Sequence, residues 1–94
     1  MHATLRLPKE RLNTLETADV EAYLLAHGWE ADPSTSSTEV GVYHFHADPP
    51  AEILLPRDKS FIDYALRMSE LLQALAATER RTAWEVLEEL PNGS

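Results

Sequence analysis

Three features of this 94-residue chain predict an α+β domain: a small three-stranded antiparallel sheet packed by helices, in the order α-β-β-β-α-α. Phe61, Ala65, Met68, Leu72 and Leu75 recur at helical spacing, the apolar seam of a helix that covers a sheet. From Trp29 to Pro56 the pattern changes to short runs of β-branched and aromatic residues broken by turn formers. After a polar break, Ala83, Val86, Leu87 and Leu90 restore the helical period.

The elements follow in order. Residues 3–7 suit a short strand or arm, and Pro8 suits the start of a helical turn over Lys9 to Leu15. Thr17 is the expected N-cap of the first full helix, which carries Asp19 in its first turn and Val20, Tyr23, Leu24 and His27 on one face. Gly28 supplies the left-handed stop, with Trp29 as a buried anchor behind it. A short Trp-Glu-Ala strand, a polar tip over residues 32–38 and a strand from Glu39 to His46 make a hairpin. Asp48-Pro49-Pro50 turns the chain into a third strand, Glu52 to Pro56, which proline closes. Ser60 with Asp63 resembles a capping box for the long helix, Ser60 to Ala77. Ile62, Leu66 and Ala76 widen its seam while Asp63, Arg67 and Glu70 face water. Thr82 and Glu85 form a better capping box for the last helix, and Pro91 ends it. The chain is one domain over residues 1–90 with a tail at 91–94.

Composition narrows the function. Hydrophobic residues make up 44% of the chain and charged residues 26%, which suits a packed soluble protein rather than a disordered one. The absence of cysteine excludes disulfides and thiolate chemistry and fits a cytoplasmic location. No run approaches the ~20 apolar residues of a membrane span, and the N-terminus lacks the apolar core of a signal peptide. Sixteen acidic residues against eight basic give a net charge of −8, which repels a phosphate backbone and disfavours nucleic acid as a partner. Two amphipathic helices carry more apolar face than one small sheet covers, so a homodimer is expected.

Several side chains are candidates for chemistry or contact. Period-2 alternation puts His44 and His46 on one strand face, where two imidazoles at that spacing can share a metal; Asp48 would complete the set if the strand ran on. The plainer reading is cross-strand pairing or an interface. His27 is placed to complement the C-terminal dipole of its helix. Tyr64 fits an aromatic anchor for a partner and a core residue equally, whereas Trp84 is read as core. Glu85, Glu88 and Glu89 crowd the end of the last helix, where the dipole disfavours acids; they form either a solvated face or a docking strip for a basic partner. No cofactor is expected.

From Ala22 to about Leu75 the chain shows His27-Gly28-Trp29-Glu30, a Ser/Thr tip, Val42-Tyr43-His44-Phe45-His46, a proline-rich turn, Ile53-Leu54-Leu55-Pro56 and a long helix. This outline resembles the HicA toxin family. The resemblance implies an α-β-β-β-α fold like that of double-stranded-RNA-binding domains, in proteins that cleave messenger RNA until a HicB antitoxin covers them. The family's Gly-Ser-His motif, whose histidine is catalytic, corresponds here to Ser36-Ser37-Thr38. The resemblance therefore supports the fold more than the activity. A non-enzymatic interaction or regulatory module is the leading reading, in a bacterial toxin-antitoxin, defence or phage-related setting. The alternatives are a divergent ribonuclease using His44 and His46, and a metal-binding accessory protein.

Overall fold

The first full helix, α2 (Thr17–Ala26), buries Val20, Tyr23 and Leu24 and ends where Gly28 adopts a φ of 93°. The left-handed stop is the one expected at this glycine. The His27 ring stacks on Tyr23 with centroids 3.9 Å apart, and its Nδ1 lies 2.8 Å from the Tyr23 carbonyl oxygen, which makes that nitrogen the protonated one. Thr17 does not cap this helix. Glu16 occupies the N-cap, and the Thr17 hydroxyl donates to the Pro56 carbonyl at 3.0 Å, spending the expected capping group on a tie to the sheet.

This computed structural model describes residues 7–34, 37–47 and 50–91. Most of the N-terminal arm, Ser36, the ligand candidate Asp48 and the tail from Asn92 lie outside the described residues. A short helix, α1 (Lys9–Asn13), precedes α2 where the helical turn was expected. The sheet is antiparallel in the order β1-β2-β3, with β1 Glu30–Ala31, β2 Val40–Phe45 and β3 Ala51–Pro56. Its register pairs Glu30 with His44, His44 with Glu52, Tyr43 with Ile53 and Gly41 with Leu55. Two helices follow, α3 (Tyr64–Glu79) and α4 (Ala83–Glu89), so the α+β class and the succession of helix, three strands and two helices stand.

Alternation sends Tyr43, Ile53 and Leu55 to the helix side of the sheet, where they join Met68, Leu71, Leu72 and Leu75 of α3 in one core. Leu12 and Leu15 fill it from the N-terminal side, and Val86, Leu87 and Leu90 from the C-terminal side. Trp29 is buried with its ring 5.2 Å from Phe45. Trp84 packs half-buried against the same cluster.

The long helix departs from the expected pattern at its start. Ser60 donates through its N–H and hydroxyl to Asp58 at 2.9 and 2.7 Å, forming a turn instead of a capping box. The helix begins at Tyr64, behind an Asp63 N-cap without a side-chain hydrogen bond. The second apolar row is corrected in part: Ala76 is buried as expected, but Ile62 is 100% exposed and Leu66 60%, and Leu71 is buried in their place. At about 100° per residue Leu71 falls beside Met68 and Leu75, whereas Leu66 points away from them.

The last helix has the Thr82–Glu85 capping box complete, the Glu85 N–H donating to the Thr82 hydroxyl and the Thr82 N–H to the Glu85 carboxylate. Its C-terminus is capped from outside. The Arg11 guanidinium donates to the carbonyls of Leu87 and Leu90 at 3.1 and 2.9 Å, placing a cation where the helix dipole is negative.

Two stability predictions follow from this packing. Leu72→Ala should lower unfolding free energy by about 2–5 kcal/mol through the cavity it leaves, while Gln73→Ala, exposed one position on, should stay within about 0.5 kcal/mol; equal shifts in denaturant midpoint would refute the assignment of faces. Arg11→Ala should cost about 2 kcal/mol, because two carbonyls at a helix end lose a charged donor. Arg11→Lys should recover only part of that loss, lacking the fork that reaches both oxygens.

Candidate interaction surface

The sheet face turned away from the helices carries acids and imidazoles in register. His44 stands directly between Glu30 on β1 and Glu52 on β3. Its Nε2 lies 2.9 Å from Asp32 Oδ2 and its Nδ1 3.7 Å from Glu52 Oε2. His46, beyond the strand end, lies with Nε2 2.9 Å from Glu30 Oε1. The two histidines thus face carboxylates, each its own. Asp48 is outside the described residues, and among those described no three His, Asp or Glu side chains gather as a metal-binding group.

Three of the basic residues that a nucleic-acid groove would need are engaged elsewhere. Lys59 pairs with Glu16 at 2.9 Å, and Arg81 bridges Glu79, Glu89 and the Tyr23 hydroxyl. The Arg57 side chain lies over Gly41, where an added Cβ would come within 2.9 Å of its Nη2. An acidic, imidazole-bearing face chemically suits proton exchange with solvent or a cationic contact better than a phosphate.

The remaining interaction candidates separate. Tyr64 is corrected: it is 1% exposed and its hydroxyl donates to the Leu15 carbonyl at 2.7 Å, so it anchors α3 to the segment before α2 and no partner reaches it. Glu85 is engaged in the capping box, and Glu89 pairs with Arg81, which holds its carboxyl below the usual range. Glu88 is exposed. The acids at this helix end are therefore tolerated because Arg11 and Arg81 flank them.

A second surface lies beside the outer strand. Between β3 and α3 runs a groove of about 180 Å³, walled by Leu54 and Pro56 on one side and by Arg67, Glu70, Leu71 and Ala74 on the other. That is below the roughly 300 Å³ at which pockets begin to enclose drug-sized ligands, but it accommodates side chains of an extended segment. Leu54 is 48% exposed at its rim. The available signal was the run Ile53-Leu54-Leu55, where alternation must turn one leucine outward; that this strand borders the sheet depends on topology, which alternation does not encode.

Two buried tyrosines tie the elements around this frame and give stability an alkaline limit. The Tyr43 hydroxyl donates to Glu21, and its pKa is pushed up to about 12 by burial first and the neighbouring carboxylate second. Tyr23 is raised to about 12 by burial and then by its hydrogen bond to Glu79. A native pKa above the unfolded value of about 10 means the folded state holds its proton longer, so this stability is complete below pH 10 and lost as pH rises through about 12. Denaturant midpoints should fall across that window, and Tyr43→Phe with Tyr23→Phe should flatten the fall; an unchanged slope in the double variant would refute the assignment.

No protein family, curated protein or solved structure matches this chain.

Proposed function

We propose that this protein is a non-enzymatic interaction or regulatory module that binds another protein chain, acts in the cytoplasm and forms a homodimer. The observation that carries the reading is the groove beside β3, where Leu54 borders a wall of α3 residues; Leu25, Ile62 and Leu66 are exposed as well, but none of them lines this groove. A groove between an edge strand and a helix is a recurring way to hold an extended segment, with main-chain bonds for affinity and side-chain recesses for choice. The HicA-like outline of the sequence motivates a place in a bacterial toxin-antitoxin, defence or phage-related system.

The carboxylates around His44 and His46 weigh against the ribonuclease alternative. A general acid-base pair must be free to meet substrate, yet these imidazoles lie beside Asp32, Glu52 and Glu30, whose charge opposes an approaching phosphate. Among the described residues the metal-binding alternative rests on two histidines, each beside a different acid.

The direct test is incubation of the protein with single-stranded and structured RNA at low salt, with and without divalent metal, beside a His44→Ala, His46→Ala double variant. Both proteins should leave the RNA intact. Cleavage by the parent that vanishes in the double variant would replace the interaction reading with the nuclease.

A further inference from the structure

The hydrogen-bond parity of the sheet shows which backbone groups of β3 are free. The Arg57 N–H donates to the Glu39 carbonyl at 2.9 Å, one step beyond the Val40–Pro56 pair. Bonded and non-bonded pairs alternate in an antiparallel ladder, so Gly41–Leu55, Tyr43–Ile53 and Phe45–Ala51 are the bonded pairs. The other side of β2 agrees, since the Asp32 N–H donates to the Val42 carbonyl at 2.8 Å. The N–H and C=O groups of Glu52 and Leu54 therefore point out of the sheet, into the side where the groove lies. The Pro56 carbonyl points the same way and is taken by the Thr17 hydroxyl.

We propose that this edge binds a second copy of the same chain, β3 against β3 about a two-fold axis at Ile53, which makes one continuous six-stranded sheet. The proposal rests on the interaction-module reading and names its partner. In this register Glu52 of each copy pairs with Leu54 of the other, so the outward groups of both residues are satisfied reciprocally. Ile53 meets Ile53 on the helix side, so both α3 helices lie on one face of the joined sheet.

The neighbouring two-fold registers are worse. Shifting toward the N-terminus sets Glu52 against Glu52, a like-charge pair, and shifting toward the C-terminus recruits the Pro56 carbonyl that Thr17 already occupies. Symmetry supplies the argument for a copy over a foreign strand. Glu52 and Leu54 stand on either side of Ile53, so a second β3 offers each of them the group the other needs. The groove's cation, Arg67, is already paired with Asp63 at 2.9 Å, which leaves the acids Glu52 and Glu70 without it.

Light scattering at micromolar concentration should give a mass near twice 10.6 kDa. Leu54→Pro removes an outward N–H without removing any bond to β2, so it should give the single-chain mass with an unchanged circular dichroism spectrum. Because the chain has no cysteine, Glu52→Cys and Leu54→Cys report the register directly. Mixed and oxidised, the two variants should cross-link to each other, their Cα atoms standing about 5.5 Å apart in a bonded pair; each alone should stay uncross-linked, its own copies lying beyond about 7 Å. Should Leu54→Pro unfold the domain, the cysteine pair still decides. A single-chain mass for the parent overturns the proposal, as does self-cross-linking of either variant alone. A monomer that leaves RNA intact would remove the dimer and spare the interaction reading, whereas RNA cleavage would remove that reading whatever the mass.

Discussion

Everything in this domain is positioned by the buried row of α3. Met68, Leu72 and Leu75 are each 0% exposed, and β3, α1 and α4 all pack against this helix. A chain of 94 residues without a disulfide has one core from which to draw stability, so displacing this row would affect every element at once. The groove inherits that rigidity. Its two walls are β3 and α3, whose inner faces meet in the core through Ile53, Leu55 and Leu71, so Leu54 and Ala74 are presented at a fixed separation. The Tyr64 hydroxyl on Leu15 fixes the N-terminal end of the same helix. A preformed recess of this kind spares a partner the ordering cost of assembling it.

The excess of acid is distributed by the same economy. Arg11 caps α4, Arg81 joins α2, α3 and α4 through Tyr23, Glu79 and Glu89, and Lys59 meets Glu16. Each of these three cations holds one part of the chain to another, while many of the acids face water. The result is a surface on which phosphate is opposed and histidines sit among carboxylates. The acidic end of α4, which breaks the dipole rule when read along the chain, is consistent once Arg11 arrives from α1.

What was legible in the sequence divides along the range of the interactions. The seam of α3 from Ala65 to Leu75, the Thr82–Glu85 box, the Gly28 stop and buried Trp29 are local patterns, and each stands in the structure. Thr17 and Ser60 depart from their expected capping roles because their hydroxyls have two available partners; Pro56 and Asp58 win over the helix N–H groups, and only tertiary proximity or the turn itself decides such competition. Tyr64 lay at a helical position where core and surface were equally compatible with its neighbours. The groove was illegible for a stronger reason. Which strand is an edge, and which of its N–H groups point outward, depends on strand order and ladder parity, which no run of side chains carries.

The two borders of the sheet are unequal, and that inequality gives the open edge its meaning. On one side β1 spans only Glu30–Ala31, too short to template another chain. On the other, β3 spans six residues, with Pro50 before it and Pro56 at its end. Prolines at both ends do not remove the edge; they confine pairing to the outward groups of Glu52 and Leu54 between them. A strand so bounded is poorly suited to indefinite stacking, because pairing cannot run past either proline and the far border offers no comparable strand. It is well suited to one closed contact. The proposed two-fold pairing would consume both long edges and leave two short ones facing water, so the features that guard against aggregation would also make a single partner specific.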